Sequence, residues 1–365
     1  MLADPGKPTV SRGQFQAAYF RADSMARLCI FIGFAGVVLS VFDRYFVRGV
    51  PFSFDIFAAR DAMTDAGTNA IGFVAAATSS FAALGVVSAW IAQALGQPLL
   101  RLEQTLAWSS LGAYVLLSVA LGSRSLLLVC VLLHLIARVY LHVFKTGRVE
   151  WKMVALAIGG VLSLIVASAW LLLERLDQMG LSPINSIQLS GYTYTVKPTP
   201  ELIDMLDNSD QLGYFGAAML SLLIYVYHGF YEFCLLFRDF VSPHLLGAQT
   251  LWLPLKILGM LTGTSYEVDL DDLSGARAGV YTTFVGPLFL DFGLLAPVCA
   301  LYLFWGLGFP FRKVVQGDWR WLPAALLVTV IIMIAPMVSL LDSSSGLFPL
   351  AAGITLPLLI RKRSQ

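Results

Sequence analysis

The sequence predicts an all-α polytopic membrane protein with about ten transmembrane helices, on three observations. Of 365 residues, 58% are hydrophobic and only 13% charged, whereas soluble domains carry about 25% charged residues. Mean hydropathy is +0.76. The apolar stretches are continuous and long enough for helices, which cross a bilayer with roughly 20 apolar residues. They are not the alternating segments of ~10 residues that build a barrel. A net charge of +1 gives no electrostatic footprint for nucleic acid. Cys29, Cys130, Cys234 and Cys299 are far apart and fall in or beside apolar runs. They read as small buried hydrophobes, with neither disulfide nor zinc spacing. P-loop, Gly-x-Gly-x-x-Gly, His-Glu-x-x-His and Gly-x-Ser-x-Gly patterns are all missing, which removes the common nucleotide, zincin and nucleophile-elbow chemistries.

In chain order, a polar segment, 1–24, precedes an apolar run with no small-residue cleavage site. That run reads as a retained first span. Spans are expected at 25–42, 70–95, 103–121, 125–144, 153–173, 213–236, 245–262, 286–309, 320–339 and 345–361, all within one integral membrane domain. Lys7, Arg12, Arg21 and Arg27 precede the first span. Lys145, Arg148 and Lys152 follow the fourth, and Arg312, Lys313 and Arg320 the eighth. Arg361, Lys362 and Arg363 follow the last. With alternating spans these segments share one side, and the positive-inside rule makes that side, with both termini, cytoplasmic. The outer side receives 43–69, the Gly122-Ser123-Arg124-Ser125 hairpin, 174–212 and 263–285. Within 174–212, Thr199 is an N-cap and Pro200 the first residue of a short helix. The segment 213–262, rich in aromatic and polar residues, either crosses twice or lies as two interfacial helices at the outer face.

Several constellations carry chemistry. Arg124, held by a tight hairpin between two spans, is either a headgroup anchor or an anion site. Its guanidinium fork suits phosphate oxygens, and its small neighbours allow close approach. Arg277, flanked by Gly275 and Gly279 and followed by Tyr281, Thr282 and Thr283, offers donors for an anion. Asp43-Arg44-Tyr45-Phe46-Val47-Arg48 follows the first span. A continuing helix there places Arg44 and Arg48 on one face, as headgroup anchors or as partners of the other outer arginines. His228 and Glu232 are also four apart, and a His–carboxylate pair can supply a general base. His134, Arg138 and His142 form a stripe on the fourth span, read as structural with Arg138 snorkelling. Asp269-Leu270-Asp271 matches the Asp-x-Asp pattern of metal-dependent glycosyltransferases. Those three residues read as a solvated acidic loop, and no metal site is expected. The Asp291-Phe292-Gly293 triplet lacks the companion motifs of a kinase.

Taken in order, several of these stretches resemble the Wzy-type oligosaccharide repeat-unit polymerases, within the O-antigen polymerase and ligase group. They are Phe42 to Gly49, Gly122-Ser123-Arg124, Tyr227-His228-Gly229 through Glu232-Phe233, and Gly279 to Thr282 through Asp291-Phe292-Gly293. The resemblance implies a metal-independent glycosyltransferase of the GT-C-like kind, without cofactor, at the outer face of a bacterial inner membrane. It would transfer a growing glycan from undecaprenyl pyrophosphate onto a lipid-linked repeat unit, in O-antigen, capsule or exopolysaccharide synthesis. Arg124, Arg277, Tyr281, Arg44 and Arg48 would then bind the pyrophosphate and glycan, and His228 with Glu232 would activate the acceptor hydroxyl. Membrane lipids and a chain-length regulator protein would be partners, and nucleic acid would not. Alternatives are an O-antigen ligase, which differs in its acceptor, and a transporter of lipid-linked sugar.

Overall fold

The structure, a computed structural model, describes residues 21–51, 56–67, 69–120, 123–189, 197–208, 210–239, 244–264 and 283–360. Every regular element among them is helical. Helix α1 (Ala22–Phe42) runs without a break into a π-helical turn, Asp43–Val47. There follow α2 (Ile56–Asp65), α3 (Ala70–Ser79), α4 (Phe81–Ala94), α5 (Arg101–Val119), α6 (Arg124–Thr146) and α7 (Trp151–Gln178). Two short helices, α8 (Pro183–Leu189) and α9 (Pro200–Asp207), lead to α10 (Asp210–Asp239) and α11 (Trp252–Thr262). Helices α12 (Val285–Phe292), α13 (Ala296–Leu307), α14 (Phe309–Val315), α15 (Leu322–Ile334) and α16 (Ser344–Leu359) complete the chain. Thr199 caps α9 as its sequence predicts: the side-chain oxygen accepts the Leu202 amide at 3.4 Å, with Pro200 in the first turn.

Five stretches are long and apolar enough to cross a membrane: Ala22–Val47, Ala70–Ala94, Ser125–Thr146, Trp151–Gln178 and Val285–Val315. Gly213–Ile224 and Val226–Asp239, bent by 40°, make a sixth if they count as one. The remaining four expected spans correspond to α5, α11, α15 and α16. Helix α15, with the turn before it, and α16 are apolar but shorter. Helix α11 has 11 residues, about 16 Å at 1.5 Å per residue, against a hydrocarbon core of about 30 Å. A full crossing at 245–262 is therefore not what this helix makes.

Backbone contact sets the central packing. A Cβ on Gly33 would lie 2.5 Å from the Ala82 nitrogen, and one on Gly36 would fall on the backbone of Thr78 and Ser79. Small residues let helices in lipid approach this closely, where no hydrophobic drive between them exists. The buried face of α1 continues through Ala22, Met25, Ala26, Cys29 and Ile30.

Polar contacts close both ends of the bundle. At one end Arg27 bonds Asp23 at 3.1 Å and Glu103 at 2.7 Å. The other oxygen of Glu103 accepts the Leu100 amide at 2.9 Å, so a single carboxylate caps α5 and ties it to α1. Phe144 stacks edge-on against Trp319 at this end. Arg320 pairs twice with Asp318, both at 2.8 Å, and donates to the carbonyls of Pro357 and Ile360. Those are terminal carbonyls that α16 cannot satisfy internally. The opposite end gathers the π-turn, the start of α3, the α5–α6 connection and 335–343. There the Phe284 amide bonds the Ala335 carbonyl at 2.9 Å, and the Ser125 and Ser345 hydroxyls meet at 3.0 Å.

Helix α10 is bent by 40° between Ile224 and Val226, and α11 is short. The Leu245 and Leu246 amides bond the carbonyls of Leu290 and Asp291, each at 3.1 Å. Phe233 and Phe237 pack on Phe289. Asp291 is seven residues beyond Phe284, about 10 Å along the helix axis. The chain therefore turns at 244–251 against the end of α12, and α11 starts from that turn.

We predict that Gly36→Leu lowers the melting temperature of the purified protein in detergent. Overpacking costs about 1–3 kcal/mol, and a backbone neighbour has no rotamer with which to yield. Gly159→Leu, whose Cβ meets open space, should melt like the wild type. Equal melting of all three proteins would contradict the close-contact account.

A candidate anion-binding cavity

Sequence-adjacent charges at the end of α1 are drawn together by the π-turn. Such turns occur often at functional sites, because the extra residue per turn re-aims side chains. Asp43 and Arg44 are both buried. One Asp43 oxygen pairs with Arg48 Nε at 2.8 Å, and the other accepts Asn69 Nδ2 at 2.8 Å. Asn69 in turn caps α3, its carbonyl oxygen accepting the Gly72 amide at 2.6 Å. Arg48 also donates to the Gly67 carbonyl at 2.7 Å. Position 72 must be glycine for this arrangement, since a Cβ there would fall on the Arg48 guanidinium and the Asp43 carboxylate.

Arg44 is held differently. It is 7% exposed, and Nη2 donates to the Leu117 carbonyl at 2.9 Å, in the last turn of α5. Its Nη1 is buried and makes no hydrogen bond among the described residues. A buried, unsatisfied charged donor is costly, and an anion beside it would satisfy it.

That nitrogen belongs to the wall of a cavity of about 380 Å³, within the range of small-molecule sites. Arg44, Arg48, Asp43 and Asn69 line one side. Ser79, Ser80, Tyr114 and Ser118 line the interior, and Ser123, Ser344 and Ser345 the connections. Trp252, Leu253, Lys256, Ile257 and Met260, all on α11, form the opposing wall. Lys256 Nζ lies 5.2 Å from the Trp252 ring centroid, a cation–π contact.

The wall itself depends on Asp291, which is fully buried. Its carboxylate oxygens accept the Gln249 amide at 2.9 Å and the Thr250 amide at 2.6 Å. A carboxylate there meets the positive end of the α11 dipole and fixes where α11 begins.

The structure brings together Arg44 and Arg48, as the sequence spacing anticipates. Arg124 opens α6 next to the cavity-lining Ser123, with its side chain outside the described residues. Arg277, Tyr281, Asp269 and Asp271 also lie outside them. His228 and Glu232 are buried one turn apart on α10, just beyond its bend, and neither lines the cavity. His134 sits between Trp90 and Trp108, its Nδ1 2.7 Å from the Cys130 carbonyl. Arg138 stacks over Trp90 at 4.2 Å. Those contacts agree with a structural stripe. The cysteines are free thiols, and Cys234 is exposed rather than buried. Among the described residues, no group of three His, Cys, Asp or Glu side chains is placed to hold a metal ion.

Sequence reasoning missed Asn69, Lys256, Asp291 and Asp342. Signals existed for the first three: an N-cap residue before a span, the one charge in 245–262, and a carboxylate inside an apolar run. Asp342, in the connection before α16, is half-buried, and desolvation pushes its carboxyl up to about 6, against a smaller opposing effect of the Ser339 hydroxyl.

Comparison with protein-family models, curated proteins and solved structures finds no match.

Two outcomes follow. Gly72→Ala should dislodge Arg48 and lower the melting temperature of the purified protein at least as much as Arg48→Ala, and melting equal to wild type would refute the seat drawn for Arg48. For Asp342, the folded-state pKa exceeds the ordinary value of about 3.9. Between roughly pH 4 and 6 the folded state holds the extra proton, so its contribution to stability falls as pH rises through that window. Asp342→Asn should therefore raise the melting temperature at pH 8 and change it little at pH 4. A pH-independent difference would contradict the shift.

Proposed function

We propose that this chain is a glycosyltransferase that polymerises lipid-linked oligosaccharide repeat units, working without a metal at the outer face of a bacterial inner membrane. The observation that carries this reading is the buried, unsatisfied Arg44 Nη1 in a hydroxyl-lined cavity at one end of an apolar helical bundle. Breaking a sugar–pyrophosphate bond builds negative charge on the leaving group, and a cation already in place lowers that barrier without reorganising. Serine and tyrosine hydroxyls around it suit the sugar next to the pyrophosphate. In this reading Arg124, Arg277 and Tyr281 also bind the pyrophosphate and glycan. His228, oriented by Glu232, is the base, reached by the acceptor from the α10 side.

The orientation has both termini cytoplasmic. Arg27, Lys145, Arg312 and Lys313 gather at the end opposite the cavity, as the positive-inside rule requires of a cytoplasmic face. In this reading α10 and α11 together add no net crossing, so both termini stay on one side. A transporter of lipid-linked sugar is the second reading. The observation that favours it is the span Val285–Val315, interrupted by a 3-10 turn at Gly293–Leu295 beside the turn at 244–251, because broken helices at mid-membrane mark transport sites.

Purified protein in nanodiscs, given an undecaprenyl-pyrophosphate-linked repeat unit, should produce a glycan ladder that persists in EDTA. Arg44→Gln, Arg124→Ala and Arg277→Ala should each abolish it at normal protein levels. His228→Ala should lower the rate at least ~100-fold, within the range for general acid–base groups. No ladder from wild type, with translocation of the same lipid in vesicles, would establish the transporter instead. Silencing by EDTA would move the chemistry to a metal at Asp269 and Asp271.

A further inference from the structure

Helix α6 carries Arg138 inside a stretch long and apolar enough to cross a membrane. Arg138 is exposed. Its guanidinium stacks over the Trp90 ring at 4.2 Å and makes no ion pair or hydrogen bond among the described residues. Carboxylates at this end of the bundle are committed elsewhere. Asp23 and Glu103 hold Arg27, Asp318 holds Arg320, and Glu150 lies 3.9 Å from Arg148. Among the described residues, an aromatic face is all that answers the Arg138 charge, and charge at membrane depth is costly.

Depth decides what else can answer it. Arg138 lies eight residues before Thr146, the end of α6, about 12 Å along the axis. Trp90 lies four residues before Ala94, the end of α4, about 6 Å along the axis. Stacking on Trp90 therefore draws the guanidinium from the depth of its own backbone toward the end that carries Arg27. One turn deeper on α6, His134 packs against Trp90 and Trp108 at 5.5 and 6.5 Å. The two indoles lie 5.9 Å apart, with Trp108 51% exposed. The surface thus runs from a cation near the headgroups to an aromatic patch facing the chains.

We propose that Arg138, Trp90 and Trp108 form a binding site for an acidic phospholipid. The guanidinium takes the headgroup phosphate, and the indoles take the glycerol backbone and the first part of the acyl chains. The planar fork of arginine suits two phosphate oxygens, and stacking on an aromatic face leaves its in-plane N–H groups to donate. Indoles favour this level of the bilayer, where one end of the ring is wet and the other apolar. A zwitterionic lipid offers the same phosphate but brings its own ammonium, so it neutralises Arg138 less well. The leaflet, the cytoplasmic one, follows from the orientation proposed above. The lipid class depends neither on that orientation nor on the chemistry at Arg44.

The test counts lipids retained by the full chain in detergent, by native mass spectrometry, during titration with dioleoyl-phosphatidylglycerol or dioleoyl-phosphatidylcholine. Wild type should hold one phosphatidylglycerol with at least ~10-fold preference, about 1.4 kcal/mol, near the low end for a hydrogen bond to a charged group. Arg138→Gln should remove the preference, and Trp90→Leu should weaken it with the charge still present. Arg138→Met, at home on an apolar helix, gives the same reading if the Gln variant does not fold. Arg148→Gln, at an exposed cation beside Glu150, should leave the preference unchanged. Phosphatidylglycerol held by Arg138→Gln and Arg138→Met as tightly as by wild type would overturn the site. An equal loss in Arg148→Gln would also overturn it, because attraction by overall charge would then suffice. Glycerophosphoglycerol, the same headgroup without acyl chains, should not displace the lipid. Displacement at matching concentration would show a site for free phosphodiester and no lipid recognition. No glycan ladder from wild type, with the lipid preference intact, would count against the proposed activity and leave this site standing.

Discussion

The backbone-to-backbone approach of α1 to α3 and α4, at Gly33 and Gly36, is the constraint on which the rest of the site depends. Any side chain at those positions would meet the backbone of Thr78, Ser79, Phe81 or Ala82. Because the helices touch there, the end of α1 arrives beside the start of α3. Only then do Asp43 and Asn69 meet at 2.8 Å and Arg48 reach the Gly67 carbonyl. The same approach leaves Arg44 pointing at the last turn of α5. Two glycines thus act on the charges from two to three turns away, with packing as the intermediary.

Charge placed in such a bundle is expensive unless it is matched. The molecule manages each case in its own way. Asp43 is shared between an arginine and an amide. Asp291, fully buried, is satisfied by backbone N–H groups instead of a cation. Arg320 is closed by a carboxylate and two terminal carbonyls. Removing one member of a buried pair costs more than the pair contributes, so these groups are fixed points. Arg44 stands apart because one of its nitrogens is left over, and ionisable groups of that kind inside membrane proteins mark function by default.

How much of this was legible in the sequence follows from what each signal depends on. Long apolar runs are a local property, and α1, α3–α4, α6 and α7 fall close to where hydropathy puts them. The Thr199-Pro200 start of α9 is equally local. The site was half legible: Arg44 and Arg48 share a face because helical spacing says so, whatever else the chain does. Lys256 was passed over because 245–262 reads as a membrane span, and only the tertiary anchor at Asp291 makes it a short helix. His228 and Glu232 lie one turn apart on α10 as their spacing implies. Their separation from the arginine cavity follows from the bend near Val226, which no periodicity encodes.

The turn at 244–251, held by Asp291, also orders events during synthesis. Helices α1 to α6 are close in sequence and can associate while the later chain is still being made, in keeping with the N-terminal-first habit of nascent proteins. The fourth wall cannot. Helix α11 has no fixed starting point until Asp291 enters the bilayer some 40 residues later and accepts its amides. A half-made chain therefore presents the Arg44 guanidinium to lipid or headgroups through an open side. The cavity is closed from the C-terminal half, by a helix that a single carboxylate anchors and that brings Lys256 with it, after Arg44 and Arg48 are already in place.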